Sequence, residues 1–266
     1  MLKTQLSKVI LRNSFSFIPI FFAPGQDLSP ATSFPKERIN LTASFAPKVK
    51  LNKHELLFAK NYIKNSAEDL VNIQKRSKVP FYIMDSVFNR YGLPVELKYL
   101  AVIESELKPS ALSRVGARGP WQLMPETAHL LGLKVTRHYD ERTNYYKSTK
   151  AAALYLKDLY AEFGDWLLVL AAYNGGPRPI YAAIRKSGSR NFWALQNYLP
   201  TETRLHVKRF IATHYYFEGQ GGITTLTKAE NIAYAKSLNG LAALHEMGRV
   251  AYQNRTVQLP LAVINN

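Results

Sequence analysis

Apolar side chains recur at steps of three and four residues along most of this chain from about Leu51 onward. Such steps place apolar side chains on one face of an α-helix, and the two-residue alternation typical of β-strands is scarce. The fold class predicted is therefore mainly α. Beside a helix that begins near Pro94, helices are predicted over HELLFAKNYIKNSAEDLVNIQKR, FYIMDSVFNRYG, PETAHLLG, STKAAALYLKDLYAEFG, DWLLVLAAYNGG, RPIYAAIRKSG and TETRLHVKRFIATHYYFEG. Residues 110–124, with Gly116 and Gly119 close together, are predicted to form turns or short strands.

The N-terminus has the order of a secretory signal. Lys3, Lys8 and Arg12 precede a short apolar run, but Pro19 interrupts that run and no A-x-A cleavage site follows. An unstructured start is the alternative interpretation. The division predicted for the whole chain is a candidate export segment at 1–24, a Pro/Ser-rich linker at 25–50, a helical extension at 51–78, a catalytic domain at 79–219 and a helical tail of unknown role at 220–266.

Composition limits the chemistry that this chain can perform. Its 266 residues include no cysteine, which excludes disulfides, thiolate metal sites, a cysteine nucleophile and a lipidated cysteine anchor. The six histidines are scattered without an HExxH pair, so neither a metal nor another cofactor is predicted. The net charge of +16 favours a polyanionic environment, whether nucleic acid, anionic lipid or an acidic wall polymer. No concentrated basic helix is present, which argues against a nucleic-acid partner.

One carboxylate interrupts an apolar stripe. On the helix predicted after Pro94, Glu104 lies on the same face as Leu97, Leu100 and Leu107. Partial burial and the negative end of the helix dipole both favour the protonated acid, which is the form that general acid catalysis requires. The structural alternative is a buried glutamate paired with an arginine such as Arg114 or Arg118.

Two groups of residues could line a cleft beside this helix. Trp121 and Gln122 follow the paired glycines and offer a flat apolar surface and an amide, both of which suit a saccharide. Tyr173 and Asn174 end an apolar helix before two glycines. Taken singly, the tryptophan and the tyrosine are more often core residues, and the asparagine is more often a helix terminator.

The order of these motifs along the chain resembles that in the lytic transglycosylases, enzymes with a lysozyme-like helical domain that cleave peptidoglycan. IESELKPSALSRVGARGPWQLMPETA carries a Glu-Ser pair, a serine nine positions after the glutamate and a GxxGxWQxM turn, and LAAYNGG follows some fifty residues later. YGLPVELKYL and LPTETRLHVKRF resemble the membrane-bound type D branch in particular. The resemblance covers about residues 79 to 218.

The resemblance implies a role for each of these residues. Glu104 would be the catalytic acid and base. The substrate-binding or supporting residues would be Ser113, Gln122, Tyr173, Asn174, Trp121 and Ser105, with the tyrosine close to the carboxyl group and Ser105 supporting the helix end. The glycan strands of peptidoglycan would be the partner, in the periplasm or envelope of a bacterium, with peripheral membrane association a further expectation.

The reaction implied needs one acid. Protonated Glu104 would donate to the β-1,4 oxygen between N-acetylmuramic acid and N-acetylglucosamine, and the glutamate would then deprotonate the muramyl 6-hydroxyl as it closes on C1. A goose-type-lysozyme-like hydrolase of the same bond and a non-catalytic wall-binding protein are the alternatives. Ordinary glycosidases use two carboxylates, and the sequence places no second one in the cleft motifs.

Overall fold

The computed structural model describes residues 48–256, and almost all regular structure in that range is helical. The helices are α1 (Lys53–Asn65), α2 (Ala67–Arg76), α3 (Lys78–Tyr91), α4 (Lys98–Ser105), α5 (Pro125–Leu130), α6 (Tyr145–Phe163), α7 (Trp166–Gly175), α8 (Pro177–Ser187), α9 (Phe192–Leu195), α10 (Thr201–Glu218) and α11 (Lys228–Thr256). Short 3₁₀ turns cover Val95–Leu97, Glu141–Thr143, Gln196–Tyr198 and Ile223–Thr225. The predicted mainly α class is confirmed.

Local side-chain chemistry explains where several helices begin and end. Asn52 and Glu55 form a capping box at the start of α1, and the Asp165 carboxylate accepts from two backbone N–H groups at the start of α7. Gly92 ends α3 in the left-handed conformation, as its position in the sequence predicts. The N-terminal helix is broken at Ser66, which becomes the junction between α1 and α2. The helix expected from Pro94 begins instead as the 3₁₀ turn that precedes α4.

Helix α7 lies at the centre of the core. Its residues from Trp166 to Ala172 are all buried, so this helix is apolar all round and has no solvent-facing side over that length. It packs against α6, α8 and α10, while α10 also contacts α1 and α4. The helix that carries the candidate glutamate is thereby held against the same α10 that packs on the central helix.

The segment after α4 is irregular. Single antiparallel bridges join Leu112 to Arg118 and Arg118 to Leu123, and no longer strand forms between α4 and α5. This confirms the small irregular β segment expected over residues 110–124 and puts it directly beside the C-terminal end of α4.

The start of the described range meets the segment between α10 and α11. Val49, near the end of the predicted linker, forms a bridge with Gly221. Thr227 and Glu230 cap the start of α11, which is a single helix. The candidate export segment lies outside the described residues, and the domain boundaries at 51, 79 and 220 stay predictions. Between residues 48 and 256, no helix combines the length and apolarity needed to cross a membrane.

Candidate active site

Helix α4 stops one residue after Glu104 because the chain reverses its handedness there. Glu106 and Leu107 have φ values of 55° and 61°, the left-handed region that residues other than glycine seldom adopt. Arg76 donates two hydrogen bonds to the Glu106 carbonyl, and the Tyr145 hydroxyl donates to the Leu107 carbonyl. Strained backbone of this kind needs surrounding contacts to hold it, and it places the glutamate in the last turn of the helix beside the irregular segment.

The Glu104 carboxyl group contacts a histidine from another helix. Its Oε1 lies 2.8 Å from Nε2 of His206 on α10. The Glu104 side chain is 14% exposed, whereas the His206 side chain is 5% exposed. The carboxyl group is therefore held from the protein side and still reaches solvent. Neither Arg114 nor Arg118 pairs with it: Arg118 forms an ion pair with Asp140 at 3.5 Å.

His206 was not among the predicted site residues, although the sequence contains a signal for it. His206 lies three residues after Thr203 and four before Phe210, all of them buried on α10. An ionisable side chain on a buried helical face was the argument for Glu104, and it applies equally to this histidine.

The turn that follows α4 is built around two residues, Gly119 and Arg142. A Cβ on Gly119 would lie 1.9 Å from the Arg142 carbonyl oxygen, so only glycine allows the two backbone segments to approach this closely. The buried Arg142 guanidinium donates to the carbonyls of Gly116 and Leu123 and forms a salt bridge with Asp140. This ion pair lowers the pKa of Asp140 despite the opposing effect of its burial. Arg142 thus holds the turn in place through these contacts.

Gln122 and Ser113 both belong to this turn. Gln122 has a φ of 47°, and its side-chain Nε2 donates to the carbonyls of Gly119 and Ala111 at 2.9 and 3.3 Å. These bonds orient the amide and leave its oxygen as the acceptor. Ser113 Oγ accepts from the Ala117 N–H at 2.9 Å, which is the turn-capping contact of a serine. Both side chains are partly accessible, and their contact with a saccharide stays a prediction.

Two of the predicted residues are core supports. Trp121 is fully buried, packs edge-on against Phe88 and donates from Nε1 to Thr149 at 3.0 Å. The idea that its ring offers a platform to a sugar is therefore wrong, because neither face is accessible. Ser105 is also buried, and its hydroxyl oxygen lies 2.9 Å from the Pro120 carbonyl oxygen and 3.1 Å from that of Ala101. Its single proton is shared between these two acceptors and joins the end of α4 to the turn.

Tyr173 and Asn174 approach from the end of α7. The Tyr173 hydroxyl donates to the Trp121 carbonyl at 2.7 Å. Burial raises the pKa of Tyr173 well above its usual value, and the charge of Glu104 raises it further, so the phenol stays protonated beside the carboxyl group. Asn174 Oδ1 is buried and has no hydrogen-bond partner within residues 48–256. A buried acceptor without a partner is costly, and a hydroxyl or amide N–H that reached it would satisfy it.

A close approach between α7 and α10 completes the arrangement. A Cβ on Gly175 would lie 2.7 Å from Thr203 Oγ1, so the glycine after Asn174 lets α10 pack tightly against the end of α7. This contact is one turn before His206 on α10. The structure thus brings together the ends of α4 and α7, the glycine turn and the middle of α10.

Three carboxylates that follow the glycine turn in the sequence have partners of their own. Asp140 binds Arg142, Glu141 binds Lys147, and Asp165 caps α7 and accepts from the backbone N–H of Lys228. Glu126 is exposed in the first turn of α5. No group of three or more His, Asp and Glu side chains in the described range could hold a metal ion.

Comparisons with known proteins find similarity to transglycosylases. Residues 83–196 match the model of the Transglycosylase SLT domain. The chain is 34% identical over 197 residues to the membrane-bound lytic murein transglycosylase D of Escherichia coli K12, covering 71% of this chain and 42% of that protein. A transglycosylase of Enterobacteria phage PRD1 is 42% identical over 73 residues, which is 27% of this chain and 25% of the relative.

A solved structure is also similar. The 70 kDa soluble lytic transglycosylase of E. coli matches with a TM-score of 0.48 and 25% identity, covering 66% of this chain and 32% of that one. The chain spans less than half the length of each of these relatives. The matched segment contains Glu104, the glycine turn and the AYN end of α7, so residues 83–196 are similar to a Transglycosylase SLT domain.

Proposed function

We propose that this protein is a peptidoglycan lytic transglycosylase that cleaves the β-1,4 bond between N-acetylmuramic acid and N-acetylglucosamine. The observation that carries the proposal is Glu104, a partly accessible carboxyl group in the segment similar to an SLT domain, held at 2.8 Å by His206. The murein transglycosylase name of the E. coli relative supports the substrate.

The reaction needs one carboxyl group acting twice. Protonated Glu104 donates to the glycosidic oxygen as the bond from that oxygen to C1 breaks, which leaves a carboxylate. The carboxylate then takes the proton of the muramyl 6-hydroxyl while O6 bonds to C1, giving a 1,6-anhydro ring and restoring the acid. No water is consumed. Attack from within the same sugar has a high effective molarity, so no second carboxylate is required to activate a nucleophile.

The flanking groups suit the two steps. Asn174 Oδ1 and the Gln122 amide oxygen are acceptors for N–H or O–H groups of the glycan. Tyr173, which stays protonated, borders the carboxyl group without competing for its catalytic proton. We further propose that the protein works in the bacterial envelope, where its substrate is, and that the net charge of +16 favours contact with acidic wall polymers and the membrane surface.

The test is mass spectrometry of the soluble products released from purified peptidoglycan. We expect wild type to release muropeptides that are one water lighter than hydrolysis products, and Glu104→Gln to release none. Glu106→Gln is the matched control, because this neighbouring carboxylate forms ion pairs with Arg76 and Lys108 outside the site and its loss should leave turnover unchanged.

Other outcomes would favour the other candidates. Reducing-end products would mean a hydrolase and a second catalytic group that activates water. If folded wild type released no product from several wall preparations, the chain would instead be a wall-binding protein.

A further inference from the structure

The contact between Glu104 and His206 raises a question of proton placement. The two oxygens of the carboxyl group are not equivalent, because Oε1 faces His206 Nε2 at 2.8 Å and Oε2 has no hydrogen bond within residues 48–256. A general acid must carry its proton on the oxygen that faces the substrate. The group that binds Oε1 therefore determines whether the catalytic proton lies on the other oxygen, Oε2.

The surroundings of the imidazole favour one tautomer. His206 Nδ1 is buried and has no hydrogen-bond partner in the described part of the chain. A proton on Nδ1 would leave a buried N–H unpaired, whereas an unprotonated Nδ1 leaves only a lone pair. With the proton on Nε2, the ring donates to Oε1 and makes a charge-assisted bond whenever Glu104 is ionised.

We propose that His206 is a positioning residue for Glu104: its neutral imidazole donates Nε2–H to Oε1 and so assigns the catalytic proton to Oε2. This inference rests on the proposed function. Because the same donor serves the acid and the carboxylate, the glutamate need not rotate between the two steps. The bond strengthens when the carboxylate forms, so it also stabilises the product of proton donation.

The position of His206 in the fold supports this role. Helix α10 contacts α4, α7 and α1, and Thr203, one turn before the histidine, lies against Gly175 at the end of α7. The His206 side chain is 5% exposed, so it has little freedom to take another orientation. His206 also lies beyond the matched SLT segment, which ends at residue 196.

Kinetic measurements on His206 variants can distinguish a positioning role for this histidine from a purely packing role. His206→Gln keeps an N–H donor at about the same reach and should retain kcat within about threefold of wild type. His206→Phe fills the space without a donor and should lower kcat by about 10- to 100-fold with KM nearly unchanged, since the lost bond is to the acid and not to the glycan. His214→Gln is the matched control, because His214 is a buried histidine two turns later on α10.

A second readout does not depend on activity. Nitrogen-15 labelling of the histidines in the full chain, with the His206 signal assigned by its loss in His206→Gln, should show a neutral ring protonated at Nε2. A neutral ring protonated at Nδ1, or a charged ring at the pH of the assay, would overturn the inference.

The possible failures are distinguishable. Anhydro products from wild type together with an unaffected His206→Phe would refute the role of His206 and leave the proposed function standing. An inactive wild type would refute the proposed function, and the tautomer would then be decided by the nitrogen signals alone.

Discussion

Replacing Gly119 by alanine adds a methyl group where the backbone leaves no room. The new Cβ would lie 1.9 Å from the carbonyl oxygen and 2.7 Å from the carbonyl carbon of Arg142. Because the obstructing atoms are backbone, no side chain can rotate away. Arg142 is itself held by Asp140 and by the carbonyls of Gly116 and Leu123, so the turn must distort.

Two energetic costs add at this position. Gly119 has a φ of 84°, and a residue with a Cβ at positive φ costs roughly 1–2 kcal/mol. Relieving the overlap costs about 1–3 kcal/mol more, in the range measured for overpacked cores. We therefore expect Gly119→Ala to lower the free energy of unfolding by about 2–5 kcal/mol.

Gly116 provides the matched control within the same turn. It has a φ of 89°, but a Cβ there would meet nothing within 4 Å. Gly116→Ala should therefore show the conformational cost alone, about 1–2 kcal/mol. The additional loss in Gly119→Ala should appear as a melting temperature lower by about 2–12 °C than that of Gly116→Ala.

The comparison is made by calorimetry, with urea unfolding followed by circular dichroism as the second measure. Equal stability of the two variants would refute the close approach of Gly119 to Arg142. If Gly119→Ala melted at the wild-type temperature, the account of the turn as a whole would fail.

Three further predictions concern side chains at the ends of α7 and α10. Tyr173→Phe should fold normally and slow turnover by about 2- to 10-fold in a product-release assay, because it removes one hydrogen bond to the Trp121 carbonyl. Asn174→Ala should raise KM by at least several-fold without lowering the melting temperature, since Oδ1 has no hydrogen-bond partner to lose among residues 48–256. Burial lowers the pKa of His214 from 6.5 to about 4. Between these two values the unfolded chain binds a proton at His214 and the folded chain does not, so the free energy of unfolding falls as the pH decreases from above 6.5 to 4. That loss is about 3 kcal/mol, and it should be absent from urea unfolding curves of His214→Gln.

Each of these has a clear contrary result. Unchanged kinetics in Tyr173→Phe would remove the hydroxyl from the catalytic group. A lower melting temperature in Asn174→Ala would mean that the amide is structural. If wild type and His214→Gln lost stability in parallel between pH 7 and pH 4, titration of His214 would not be the cause.

Periodicity in the sequence was sufficient to predict the fold class, because helices that bury one face must repeat apolar residues every three or four positions. It also located Glu104, since a carboxylate on such a face is conspicuous. Helix breaks were harder to place. Ser66 interrupts an otherwise continuous pattern between α1 and α2, and nothing in the apolar spacing marks it.

Contacts between distant segments were the part that the sequence could not supply. Arg142 shapes the glycine turn from 26 residues beyond Gly116, and His206 meets Glu104 across 102 residues. For Trp121 the residue type alone was not decisive, because a tryptophan can serve either as a sugar-binding surface or as a core residue. Only its burial against Phe88 and Thr149 decides between them.

The position of His206 on helix α10 limits how far this chain could be shortened without loss of activity. A chain shortened to residues 83–196 would keep the acid, the glycine turn and the AYN motif, and it would lack the helix that carries His206. It would also lack α1, which packs along α10. The smallest active unit should therefore extend from α1 through α10, well beyond the stretch that is similar to the SLT domain.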